Sequence, residues 1–302
     1  MSDAAVRFQD VTKRFGTFTA VDGVSFDVPR GSQFGILGSN GAGKTTSIRM
    51  LMNIFRPDDG IVTVLGDRVS EALKPKIGYL PEERGLYRKM RVREMLYFFG
   101  AIKGRSKAEL DPEIDRWLDR MGLTEWQGNR AESLSKGMSQ KLQFVITVVH
   151  RPELVVLDEP FAGLDPVNRD VLRDAVLDMH RAGTTVVFST HVMEQAEQLC
   201  NELVVIHKGR IRLSGTIESV RASEGRQAAH VTIHRDGGAR LDGLPGVLQV
   251  HDHGNEAELT LAEDADPNAL ATALLERGRL TRFEVREPSL HQIFKRVVGE
   301  SE

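Results

Sequence analysis

The chain has 302 residues, 40% of them hydrophobic and 27% charged, with a formal net charge of -3. That length exceeds a usual single domain and predicts one large domain with a small companion. The mild acidity offers no basic body for nucleic acid, the one cysteine (Cys200) excludes an internal disulfide and fits a reducing compartment, and no apolar run approaches the roughly 20 residues that span a bilayer. The opening MSDAAVRFQD lacks the basic start and apolar stretch of a secretory signal, so the chain is expected to stay in the cytoplasm.

Alternating apolar residues in AVRFQDV and VSFDV predict two half-exposed strands, and residues 34–38 a buried strand ending in glycine. Beyond Gly43, Ile48, Leu51, Met52 and Phe55 recur at helical spacing until residues 57–60 turn the chain into the strand IVTVLG. Val92, Met95, Leu96, Phe99 and Ile102, then Ile114, Trp117, Leu118 and Met121, mark two amphipathic helices in a helical insertion over about residues 85–150. Buried strands return at 154–159, 184–190 and 202–207. They are separated by helices with an apolar face at Val171, Leu172, Ala175, Val176 and Met179. Strands alternating with helices predict an α/β domain over residues 1–215 with a mostly parallel sheet. Past residue 215 the shorter strands HVTIH, LQVHD, AELTL and LTRFEV, with helices at 268–276 and 289–298, predict a small α+β domain over 216–302.

The segment Gly38-Ser39-Asn40-Gly41-Ala42-Gly43-Lys44-Thr45 follows the buried strand and opens a helix, the setting in which G-x-x-x-x-G-K-[ST] cradles phosphate. Its glycines allow successive N–H groups to point at phosphate oxygens, and the helix N-terminus adds partial positive charge. Lys44 is expected at the β- and γ-phosphates and Thr45 on Mg²⁺, with Thr46 one step further into the helix. Four apolar residues then lead into Asp158-Glu159-Pro160. Asp158 can hold magnesium through water, and Glu159 can orient and polarise the attacking water.

Leu134-Ser135-Lys136-Gly137-Met138-Ser139-Gln140 precedes a helix with apolar residues Leu142, Val145, Ile146 and Val149. Together with the phosphate loop and VVLDEP, this segment resembles the LSGGQ signature of the ABC ATPase family. The resemblance covers residue 6 to about 215. It implies a P-loop ABC ATPase domain that binds ATP with Mg²⁺, with Phe15 stacking on adenine, Glu82 at the loop that senses magnesium and the lytic water, Asp165 at the loop that crosses a dimer interface, and His191 as the switch histidine. Phe18 is the alternative to Phe15, and Glu83 to Glu82. Two departures stand out: Lys136 and Met138 replace signature residues, and Glu82 stands where the family usually has glutamine. Ser135 keeps a hydroxyl donor and Gly137 a backbone N–H at a helix start, while Lys136 either adds charge beside a phosphate or is solvated. Glutamate at 82 keeps an oxygen acceptor able to ligate Mg²⁺.

In the family, signature and phosphate loop meet only across two copies, which implies a head-to-tail homodimer. A single ATPase domain without a membrane span further implies separate membrane-spanning permease subunits. It also implies a peripheral position on the inner face of the cell membrane and export powered by ATP hydrolysis. An ABC protein of translation or repair is the alternative, yet translation members carry two ATPase domains, and the 90 or so residues between Lys44 and Ser135 leave no room for a long coiled coil. A GTPase would need N-K-x-D, of which Asn168-Arg169-Asp170 is a near miss.

The C-terminal segment holds His230, His234, His251, His253 and His291, but neither the HDH at 251–253 nor the His230 and His234 pair supplies a full ligand set, so no metal site is expected there. With 15 acidic against 10 basic residues it is not a nucleic-acid arm either. Its ending, EPSLHQIFKRVV, resembles the C-terminal domain of type 2 exporter ATPases of the sodium-extrusion and drug-resistance groups.

Overall fold

The computed structural model describes residues 4–68, 70–82, 85–225, 230–235, 241–262, 264–286 and 289–299. The chain divides into two compact units, Met1–Ser214 and Gly215–Glu302.

The first unit opens with β1 (Ala4–Phe15) and β2 (Phe18–Pro29), an antiparallel hairpin. Buried Val6, Phe8, Val11, Val24, Phe26 and Val28 turn one face inward as the alternation requires. Strand β3 (Gln33–Leu37) is buried along its whole length and delivers the phosphate loop to helix α1 (Lys44–Leu51). That helix is shorter than the apolar spacing predicts. Asn53 takes a left-handed φ of 55°, and the amides of Ile54 and Phe55 fold back onto the Arg49 carbonyl at 2.8 and 3.2 Å, so Met52 and Phe55 pack from a turn. Strands β4 (Asp59–Val64) and β5 (Asp67–Arg68) complete a four-stranded antiparallel sheet, in the order β2-β1-β4-β5.

After β6 (Ile77–Leu80) come the two predicted insertion helices, α2 (Val92–Ile102) and α3 (Lys107–Arg120). Ser106 caps α3 through a reciprocal box with Glu109, whose carboxyl is drawn down to about 2 by hydrogen bonds from Ser106. Glu113 of α3 is buried, and hydrogen bonds from Arg151 at 2.5 Å and Arg116 at 2.6 Å keep it ionised below the usual carboxylate range against the pull of burial. Helix α4 (Lys136–Val148) starts at Ser135 and ends against β6. There Gly78 is required, because a Cβ on it would meet the Thr147 carbonyl at 2.3 Å.

Strand β7 (Leu154–Asp158), helix α5 (Pro166–Arg181), strand β8 (Thr185–Thr190), helix α6 (Met193–Leu199), strand β9 (Glu202–His207) and strand β10 (Arg210–Thr216) close the unit. The six-stranded sheet runs β10-β9-β3-β8-β7-β6, with parallel pairing from β9 through to β6. Its strands are near-continuous apolar runs, as a sheet covered on both faces demands. One core cluster joins both sheets through α1, with Phe8, Phe26 and Phe34 stacked at 4.5 and 5.6 Å. Cys200, just past α6, is buried, and desolvation pushes its thiol up to about 12, the behaviour of an inert core residue.

The second unit begins with α7 (Ile217–Gly225), a helix the apolar spacing does not announce, followed by β11 (His230–Arg235), β12 (Val247–Asp252) and β13 (Glu256–Leu261). Helix α8 (Pro267–Arg277), strand β14 (Leu280–Arg286) and helix α9 (Leu290–Gly299) follow. The strands form an antiparallel sheet in the order β12-β13-β11-β14, and Leu259, Leu261 and Ile233 bury against Leu270 and Leu274 of α8. The side chains of His230 and His234 lie outside the described residues. Among the described residues no group of three or more metal-ligating side chains converges, and no helix is long and apolar enough to cross a membrane.

Candidate functional site

Parallel strands align their C-terminal ends, and three such ends meet here. Leu37 pairs with Thr190 and Asp158 with Ser189, so the loop after β3, the acidic pair after β7 and His191 after β8 emerge side by side. The loop after β3 walls a cavity of about 350 Å³ lined by residues 40–46, Phe18, Ala20, Glu82 and Glu159. Its backbone curls through left-handed Gly41 (φ 77°) and Gly43 (φ 111°), and a Cβ on Gly43 would sit 2.5 Å from the Ala20 carbonyl.

Lys44 is buried at 6% exposure, and its ammonium donates to the carbonyls of Gly38 (2.8 Å) and Ser39 (3.1 Å) with Glu159 Oε1 at 3.7 Å. Burial lowers its pKa, opposed by attraction to Glu159, Asp158 and Glu82. Asp158 is fully buried. Ser189 donates to its Oδ1 at 2.5 Å and Thr45 Oγ1 at 3.4 Å, while burial raises its pKa. Its other oxygen, Oδ2, is buried without a hydrogen-bond partner. A carboxylate oxygen kept unsatisfied beside a threonine hydroxyl is the donor set of a hard divalent cation, and Mg²⁺ fits it.

Glu159 also takes a left-handed φ of 47°, rare for a residue with a side chain, and its amide donates to Ser189 Oγ at 3.1 Å. His191 Nδ1 lies 2.8 Å from Glu159 Oε1. Ser189 thus holds Asp158 and Glu159 together, and it was missed from the sequence. Its only signal was its place in FST two residues before His191.

Ser135 and Asp165 occupy a different surface. Both are exposed N-caps: Ser135 accepts from the Met138 amide at 3.2 Å, and Asp165 accepts from the Asn168 amide at 2.9 Å and its side-chain amide at 2.5 Å, bonds that lower its pKa. Gly137 has Asn168 Nδ2 within 2.8 Å of where a Cβ would stand. None of these residues lines the phosphate cavity of its own chain. Phe15 and Phe18 face each other across the β1–β2 hairpin; Phe18 lines the cavity, whereas Phe15 packs edge-on against Phe55 at 5.4 Å. Glu82 lines the cavity, and Glu83 lies outside the described residues.

Residues 21–162 match the family model described as ABC transporter, and residues 215–298 match that of the C-terminal domain of DrrA1-3-like ATP-binding proteins. The chain is 42% identical over 290 residues to the uncharacterized ABC transporter ATP-binding protein YhaQ of Bacillus subtilis (strain 168), spanning 96% of this chain and 97% of that protein. It is 33% identical over 302 residues to the Nod factor export ATP-binding protein I of Paraburkholderia xenovorans (strain LB400), spanning 99% and 98%. A solved ATP-binding subunit of an ABC transporter superposes with a TM-score of 0.69 at 29% identity, covering 72% of this chain and 92% of that one. A phosphate loop set beside an acidic strand end, on a chain matched from end to end by such relatives, places this protein in the ABC transporter family as an ATP-binding subunit, an ATPase that couples hydrolysis to transport alongside membrane permease partners.

Proposed function

We propose that the chain drives export through separate permease subunits, working as a head-to-tail homodimer on the inner face of the membrane. Each ATP would lie between Lys44, Asp158 and Glu159 of one copy and Ser135 and Gly137 of the other, with Asp165 at the interface. Adenine would stack beside the Phe15 and Phe18 pair. Mg²⁺ would be held by Thr45, Asp158 and Glu82, where it neutralises phosphate charge. Glu159 takes the proton of the attacking water as general base, and His191, in contact with it, fixes the carboxylate toward the γ-phosphate. The export direction rests on the full-length likeness to the Nod factor export protein.

The observation that carries this reading is the Glu159 to His191 contact of 2.8 Å at the rim of the phosphate cavity. Glu159→Gln keeps the shape and removes the base. With Mg²⁺ and ATP the variant should elute as a stable dimer, with ADP as a monomer, and its turnover should fall about a hundredfold or more. Near-parental turnover would transfer the role of base to His191.

A further inference from the structure

Glu82 borders two cavities. It lines the phosphate cavity with Lys44 and Glu159, and also a second, open cavity of about 470 Å³ with Lys136, Gln140 and Gly163. Glu82, two residues past the end of β6, therefore borders both cavities, and a lysine lines each of them. The two lysines differ. Lys44 is buried and tied to the carbonyls of its own loop. Lys136 is exposed at the first turn of α4 and reaches over Gly163, where a Cβ would come within 3.0 Å of its Nζ. Gly163 is left-handed at φ 72°, so the bare backbone leaves that approach open. Gln140, one turn along α4, also lines this cavity and donates to the Ala162 carbonyl at 2.8 Å.

We propose that Lys136 is a positioning residue for Glu82: its ammonium attracts the Glu82 carboxylate toward the second cavity, in competition with Mg²⁺ on the phosphate side. The proposal rests on the reading of Glu82 as a magnesium ligand. One carboxylate cannot serve two cations on opposite sides at full strength, so a charge on Lys136 weakens the hold on the metal. Both groups are solvent-exposed, which sets the expected size of the effect at a few-fold. The two departures from the family pattern noted in the sequence, an acid at 82 and a base at 136, are on this view one adaptation.

The test is a Mg²⁺ titration of fluorescent ATP analogue binding by the full chain, at concentrations where light scattering reports single copies. No second copy then reaches the site, so any action of Lys136 across a dimer is absent. Lys136→Gln should lower the Mg²⁺ midpoint about threefold, while Lys136→Arg keeps it parental. Glu82→Gln should raise the midpoint, and in that background Lys136→Gln should change nothing. An equal shift in both backgrounds would mean plain charge repulsion of the metal and overturn the proposal, as would no shift at all. A Glu82→Gln midpoint equal to the parent's would remove the metal role of Glu82 and the proposal with it. A Glu82→Gln shift with none from Lys136→Gln would remove the proposal alone. Thermal melting of each variant reports folding separately.

Discussion

The phosphate-holding surface and the signature surface of the ATPase unit are built from the same kinds of residue to opposite ends. At the first, Lys44, Asp158 and Glu159 are 6%, 0% and 6% exposed: Lys44 donates to its own loop and lies 3.7 Å from Glu159, and Asp158 accepts from Ser189 and Thr45. At the second, Ser135, Lys136 and Asp165 are exposed, and Val167 beside them leaves an apolar side chain 73% exposed. Buried polar groups are costly unless satisfied internally, and of these three side chains Asp158 alone leaves a buried oxygen, Oδ2, without a partner, so the first surface is set before any ligand arrives except at that oxygen. The second keeps its polar groups and an apolar side chain open to solvent. The contrast is that of a half-site ordered from within and an exposed surface that the proposed head-to-tail dimer would complete.

Substitutions can break this contrast. The largest effect is expected at Lys44. Lys44→Ala deletes the buried charge that lines the cavity of the phosphate loop and should weaken ATP binding at least a hundredfold, as measured by calorimetry, with the melting temperature little changed. Parental affinity would show that the phosphates lie elsewhere.

Ser135→Ala should act on turnover alone. The single copy should bind ATP within about twofold of the parent, while hydrolysis falls about a hundredfold, because in the proposed dimer the serine is a donor to the other copy's phosphate. Mixed dimers of Ser135→Ala with Lys44→Ala sharpen the test, since the cross-dimer arrangement puts both lesions in one site and leaves the second intact. Loss of ATP affinity by the single Ser135→Ala copy would place the serine in its own chain's site instead.

The same contrast runs along α4, exposed at Ser135 and closed at its far end. Just past that end His150 is buried, and burial with the nearby Lys103 pushes it down to about 4. Its folded value lies below its unfolded one, so the stability it lends is full above about pH 6.5 and is lost as pH falls toward 4. Between pH 7 and pH 5 this amounts to about 2 kcal/mol. Urea unfolding at both values should show a smaller acid loss for His150→Gln than for the parent by that amount, and equal losses would mean the ring reaches solvent.

The smallest effect concerns the adenine edge. Removing a stacking ring costs about 1 to 2 kcal/mol, so the residue that meets adenine should lose about tenfold in ATP affinity on replacement by Ala. Phe15→Ala is expected to do this. A larger loss in Phe18→Ala would assign the ring that lines the cavity.

Much of the ATPase unit could be read from the chain because its signals are local. Glycines at fixed offsets, an apolar run ending in two acids, and apolar residues at helical spacing in α2 to α5 each declare themselves within a dozen residues. What escaped depends on distant pairing. Ser189 matters only because parallel register sets it beside Asp158, and the end of α1 depends on amides of the next turn returning to Arg49. Helices α6 and α7 are short, with too few apolar repeats to announce a period. That Phe18 and Phe15 oppose each other follows from the hairpin, which no count along the sequence supplies.

The close seat of Gly78 under Thr147 anchors the far end of α4 against β6. Ser135 stands twelve residues away, about 18 Å along the helix axis. A helix hinged at one end is a lever, and a tilt of about ten degrees there would carry the serine about 3 Å, the difference between touching a phosphate and missing it. A methyl group added at residue 78 would shift the fulcrum and misplace the tip while every residue that touches ATP stays as it is.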